Sequence, residues 1–121
     1  MQRRSESMSG YPGLWDQAVG GHVDPGESYE DAAAREMKEE LGIESPITEI
    51  ALSFETDYVF NGVFRAVVSS DTEFNFDTNE VAEIKWIAIK DFETVAKNNP
   101  DNYPPGFLKV WSVFRDKLIT Q

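Results

Sequence analysis

Three glutamates, Glu36, Glu39 and Glu40, crowd into a five-residue stretch that also holds Lys38. On a helix, at roughly 100° per residue, their side chains fall within about 100° of one another. Such crowding works against the local structure. Like charges at three- and four-residue spacing cost roughly 0.2 to 0.5 kcal/mol per pair, and acids near a helix C-terminus are disfavoured on a similar scale. Two readings follow from the residues alone. One is a solvated acidic face, partly relieved by Arg35 and Lys38. The other is a site where a divalent cation supplies the missing positive charge. Hard oxygen donors suit magnesium or manganese, which prefer carboxylates and retain waters that a phosphate substrate can replace.

The helix that positions these acids is predicted from about Ser28 to Leu41. Pro25-Gly26 suits a tight turn before it, and Ser28 with Asp31 forms a helix-start pair. Gly42 sits where a helix commonly ends in a left-handed residue. Tyr29, Ala33, Met37 and Leu41 form an apolar stripe beside the carboxylates, so the acids border the core. The rest of the chain alternates apolar patterns with turn residues, as in an α+β domain. The leader through "SMSGYPG" reads as loop, and "LWDQAV" as a short strand. "ITEIALSFETDYVF" and "GVFRAVVSS" suit strands paired through a turn at Asn61-Gly62, and "VAEIKWIAI" suits another. "KDFETVAKNN" reads as a short helix and "GFLKVWSVFRDKLI" as a longer one. Phe107, Val110, Trp111, Phe114 and Leu118 recur in it at helical spacing and are expected to be core.

Composition narrows the partners. The 121 residues, 40% hydrophobic and 12% aromatic, suit one globular domain. Twenty-two acidic against 11 basic residues give a formal charge of -11, which repels nucleic-acid backbones and anionic membranes, so no DNA binding is expected. Without cysteine there is no disulfide, thiolate zinc site or cysteine nucleophile. No apolar run approaches membrane-spanning length and no secretion signal follows "MQRRSES", so the cytoplasm is the expected compartment.

From Gly21 the chain runs five residues to Glu27, then seven to Arg35, Glu36, Met37, Lys38, Glu39, Glu40, Leu41, Gly42 and Ile43. In this it resembles the Nudix family, whose signature it matches in full. The resemblance implies an α/β/α sandwich around a mixed sheet and metal-dependent hydrolysis of a diphosphate joined to another group. Magnesium or manganese is the implied cofactor, and a nucleoside diphosphate derivative or related small molecule the implied substrate. By that resemblance Glu36, Glu39 and Glu40 hold metal, with the Gly21 carbonyl as a further ligand, while Glu27 and Arg35 orient them. A water attacks phosphorus as a glutamate accepts its proton. Glu36, Glu39 and a later acid are the candidates; Glu80 is preferred over Glu83 in "TNEVAEIKW".

Two other classes compete with a hydrolase. "LWDQAVGGHVDPGES" is also similar to the isoprenoid diphosphate isomerase branch, whose chemistry characteristically uses a cysteine that this chain lacks. A non-catalytic module would be signalled by a degraded glutamate set, and the set is intact. His22, the single histidine, suits a phosphate contact or a structural hydrogen bond equally and is not assigned to catalysis. "DTEFNFDTNEVAE" fails as a calcium loop, because Phe76 and Ala82 stand where glycine and glutamate are needed. Tyr58, Phe60 and Phe64 fit strand core better than base stacking. Against the family's usual length, the leader before Gly21 is expected to lack part of the N-terminal strands. The sheet edge so exposed would favour a homodimer.

Overall fold

The acidic helix, α1, spans Tyr29–Leu41 in the computed structural model of the chain, which describes residues 1–52 and 62–120. Ser28 precedes it in extended backbone and its Oγ accepts the Asp31 N–H at 3.0 Å. Gly42 ends it with a φ of 69° and donates its N–H to the Lys38 carbonyl at 2.9 Å. A Cβ at Gly42 would lie 2.8 Å from the Cβ of Asn75 and 2.9 Å from its carbonyl oxygen, so both the conformation and the space call for glycine. Asn75 in turn donates to the Leu41 carbonyl at 2.8 Å, satisfying one of the acceptors left over at the helix end.

α1 buries Ala32, Met37 and Leu41. It packs on an antiparallel hairpin of β3, Ile47–Leu52, and β4, Gly62–Ala66, in which Ile47 faces Ala66 and Leu52 faces Gly62, with an irregularity between Glu49 and Ala51. Tyr29 reaches this hairpin: a Cβ on Gly62 would touch its ring at 3.5 Å. A second sheet has the order β2-β1-β5, from β1 at Gln2–Arg4, β2 at Trp15–Asp16 and β5 at Val81–Ile84. Gln2 lies opposite both Asp16 and Ile84, and Arg3 opposite Trp15 and Glu83. Alternation therefore sends Gln2 to the α1 side, and Arg3, Trp15 and Glu83 to the other, where Lys85 Nζ stands 4.4 Å over the Trp15 ring.

The C-terminal helices, α2 at Ile89–Asn98 and α3 at Pro105–Ile119, are linked by a 3-10 turn at Pro100–Asn102. Phe92 joins them. It meets Tyr103 and Trp111 edge-on, with centroids at 5.6 and 5.2 Å, and Phe107 at 5.6 Å. Across this contact Arg115 grips Glu93 through both Nε and Nη2. Among the described residues no helix is long and apolar enough to cross a membrane.

The α+β class stands, with several corrections of detail. The described strands form two antiparallel sheets and not one mixed sheet. β2 and β5 both run opposite to β1, which lies between them, so no parallel pair arises. The leader is not all loop, because β1 is the middle strand of its sheet. "LWDQAV" pairs only over Trp15–Asp16, because the Asp16 carboxylate takes the Gln17 N–H at 2.8 Å. "VAEIKWIAI" is strand only to Ile84; Lys85 exchanges the last two bonds with Met1, its N–H donating to the Met1 carbonyl at 3.0 Å and its carbonyl accepting from the Met1 amino terminus at 3.1 Å, and Trp86 is 58% exposed. "GVFRAVVSS" likewise stops at Ala66. Gly62 belongs to the ladder itself, while Asn61, Tyr58 and Phe60 lie outside the described residues. The expected α3 stripe is only half-buried, and it is Phe92 of α2 that is enclosed.

Candidate metal centre

The charged residues of α1 are organised around Arg35. Its Nε and Nη2 donate to the two oxygens of Glu27 at 2.8 and 3.0 Å, a bidentate fork from the loop before the helix. Its Nη1 reaches along the helix to Glu36 at 2.9 Å and Glu39 at 3.1 Å. Nη2 also donates to the His22 carbonyl at 3.0 Å and lies 3.5 Å from the Asp24 carboxylate. One guanidinium thus ties the loop carrying Gly21 to the acidic face. The Arg35 hydrogen bonds, followed by the Asp24 N–H, hold the Glu27 carboxyl at about 2, far below its ordinary value. Bonding to Glu27 raises the Arg35 guanidinium further above its already high value.

Glu40 is treated differently. Among the described residues no cationic side chain pairs with it; its Oε1 accepts from Gln2 Nε2 at 3.3 Å and its Oε2 from the Gly20 N–H at 3.2 Å. Burial pushes its carboxyl up to about 7; the two hydrogen bonds oppose the rise, and the negative charges of Glu36 and Glu80 add to it. Glu80 therefore makes itself felt at Glu40. It stands on the turn before β5, fixed there by a 2.9 Å bond from the Ser5 N–H to its carbonyl. Glu83 does not join them, since its side chain pairs with Arg3 at 3.7 Å on the opposite face of the sheet.

Gly21 lies against the cluster. A Cβ there would fall 2.3 Å from the Glu36 carboxyl carbon and 2.5 Å from its Oε1, so any side chain would displace the carboxylate. The carboxylate oxygens of Glu36, Glu39 and Glu40 beside this backbone are hard donors of the kind that magnesium or manganese accepts. The carboxylates are not drawn together as they stand: among the described residues no three acidic or histidine side chains converge as a metal cage. Arg35 Nη1 holds both Glu36 and Glu39. A cavity of about 400 Å³ between β3, β4 and the end of α3 is lined by Thr48, Arg65, Asp116 and their neighbours and contains none of these groups.

Of the residues singled out in the sequence, Gly21, Glu27, Arg35, Glu36 and Glu39 form one connected network, and Glu40 and Glu80 are joined electrostatically. Sequence reasoning did not point to Gln2, the Gly20 N–H or the His22 carbonyl. The last two are backbone groups without a side-chain signature, and Gln2 lies in a polar leader with no pattern to mark it.

The domain model described as the NUDIX domain matches residues 1–106. An uncharacterized Nudix hydrolase of Pseudomonas aeruginosa is 36% identical over 118 residues, which cover 96% of this chain and 69% of that one. An isopentenyl-diphosphate delta-isomerase of Photorhabdus laumondii is 29% identical over 122 residues, with 91% and 66% covered. A prenyl-diphosphate phosphatase of Methanosarcina mazei is 29% identical over 128 residues, with 98% and 75% covered. The crystal structure of DR0079 from Deinococcus radiodurans superposes with a TM-score of 0.67 at 29% identity, covering 80% of this chain and 62% of that one. The chain thus spans about two thirds of the length of the proteins it resembles.

Proposed function

The chain belongs to the Nudix family, and on that premise we propose that it hydrolyses a diphosphate linkage in a nucleoside diphosphate derivative or a related small molecule, prenyl diphosphates included, with bound magnesium or manganese. The observation that carries this reading is the acidic face of α1 against Gly21, in which Arg35 neutralises one side and Glu40 is left to another cation. Glu36, Glu39, Glu40 and the Gly21 carbonyl are the proposed ligands. When bound, the ion offsets charge on the diphosphate and promotes ionisation of water at neutral pH.

The chain's own residues do the rest. Arg35 holds Glu36 and Glu39 in register with the Glu27 loop. Its displacement from one or both carboxylates would accompany closure of the cage. The proton of the attacking water passes to a carboxylate oxygen, with Glu80 the preferred acceptor and Glu39 and Glu36 the alternatives. Support for Glu80 is its exposed side chain and its electrostatic reach to Glu40. A proton acceptor and a ligand respond differently to substitution. Glu80→Gln should lower kcat by about 10²- to 10⁴-fold and leave metal affinity unchanged.

The isomerase reading draws on the similarity to isopentenyl-diphosphate isomerases, but this chain has no cysteine to serve that chemistry. One experiment separates the readings. The purified protein is incubated with magnesium or manganese and a panel of nucleoside diphosphate derivatives, prenyl diphosphates and isopentenyl diphosphate; phosphate release and double-bond position are followed. Metal-dependent release of phosphate or diphosphate from at least one compound is expected. Isomerisation without release would establish the second reading, and turnover unchanged by thorough chelation would sink the metal mechanism.

A further inference from the structure

Gln2 is a buried polar residue, 6% exposed, in the middle strand of a sheet and outside the Nudix signature of Gly21 to Ile43. Its backbone is held on both sides, by β2 and by β5. Its side-chain amide donates to the Ala18 carbonyl at 2.8 Å and to Glu40 Oε1 at 3.3 Å. Both neighbours are acceptors, which requires the nitrogen and not the oxygen of the amide to face them. The Ala18 bond fixes one N–H and leaves the other aimed at Glu40. A third contact, from the Gly20 N–H to Oε2, completes the grip.

We propose that Gln2 is a positioning residue for Glu40, presenting that carboxylate to a divalent cation at the acidic face of α1. The inference rests on the reading of Glu40 as a metal ligand. An ionised carboxylate offers about four lone-pair sites, and Gln2 and Gly20 occupy one on each oxygen, so one on each is left for a cation. Both donors are neutral. They orient the group and leave its charge in place, whereas a lysine or arginine in the position of Gln2 would compete with the metal. The strand also couples the site to the fold: Gln2 stands opposite Asp16, the residue from which the chain runs on through Ala18 to Gly20 and Gly21.

The test is a manganese titration of the metal-free protein, with free ion read by electron paramagnetic resonance. Gln2→Met keeps the length of the side chain and removes the donor. Manganese binding is expected to weaken by about 10- to 100-fold, as for the loss of other partners that orient a ligand, with turnover recovering toward wild type at saturating metal. In the Glu40→Gln background the same substitution should cost nothing further, because Gln2 acts through Glu40. Wild-type affinity in Gln2→Met, or losses that simply add in the double variant, would overturn the proposal. If Gln2→Met does not fold, Gln2→Asn keeps an amide for Ala18 but draws it back from Glu40; it should weaken binding in the same direction, and unchanged affinity overturns the proposal equally. Equal manganese binding by wild type and Glu40→Gln would instead remove Glu40 from the site and take the underlying reading with it. Binding that Glu40→Gln weakens and Gln2→Met does not would remove Gln2 alone.

Discussion

The two ends of the acidic face solve the same problem by opposite means. At the Arg35 end, charge is met with charge: one guanidinium serves Glu27, Glu36 and Glu39, and the Glu27 carboxyl is held at about 2. At the Glu40 end, the described residues meet charge with neutral donors in a half-buried setting, and the carboxyl rises to about 7. The difference marks Glu40 as the carboxylate of this face without a cationic partner among the described residues. A carboxylate already paired with arginine gains less from an ion than one whose repulsion with Glu36 and Glu80 is unrelieved.

The most severe way to break the contrast is to neutralise the uncompensated end. Glu40→Gln keeps the shape and removes the charge, and turnover should fall roughly 100-fold or more, the several kcal/mol expected of lost metal-borne stabilisation. Its metal-free melting temperature should equal or exceed wild type at pH 8, since repulsion and burial of charge are both relieved. Near wild-type turnover would place the chemistry elsewhere. The other end is tested by Arg35→Lys, which retains the charge but cannot span Glu27, Glu36 and Glu39 together. A loss of about 10- to 100-fold in metal affinity is expected by direct titration, smaller than that of Glu40→Gln in turnover. An Arg35→Lys protein with unaltered affinity would show that the fork does not organise the ligands.

A pH scan of the metal-free protein sharpens the same comparison. Glu40 has its folded pKa raised from 4.5 to about 7, so the folded state holds that proton more tightly than the unfolded chain. Its contribution is favourable in acid and is lost as the pH rises from about 4.5 to about 7. Glu27, held at about 2, works in the other direction, and its contribution is lost as the pH falls from 4.5 toward 2. The difference in melting temperature between Glu40→Gln and wild type should therefore grow in the mutant's favour between pH 5 and pH 8. Excess manganese should shrink or reverse it, because the ion binds the folded wild type. A difference that stays flat with pH would show Glu40 to be ionised normally. The smallest effect is expected from Ser28→Ala, which removes the cap and touches neither end. It should cost about 1 kcal/mol, a few degrees in melting temperature, with metal affinity unchanged at permissive temperature.

What the sequence by itself determined is the part whose causes are local. The start of α1 at Ser28, its end at Gly42 and the shared face of Glu36, Glu39 and Glu40 follow from capping chemistry and a 3.6-residue period, and each is found in the structure. The resemblance to the Nudix signature placed Gly21, Glu27 and Arg35 in one motif, and their contacts span short stretches of chain. Only the tertiary structure decided which end of that face is compensated. β1 is three residues long and two of them are arginines, so no pattern marks it as a strand; pairing with β2 and β5 makes it one. That pairing brings Gln2 across 38 positions to Glu40, and the Ser5 bond brings the turn of Glu80 to the same side. The same holds for Phe92, whose burial depends on Tyr103, Phe107 and Trp111 arriving from beyond its own helix. Helical period is written in neighbours three and four apart, whereas the charge balance at Glu40 depends on groups that only the closed sheet brings within reach.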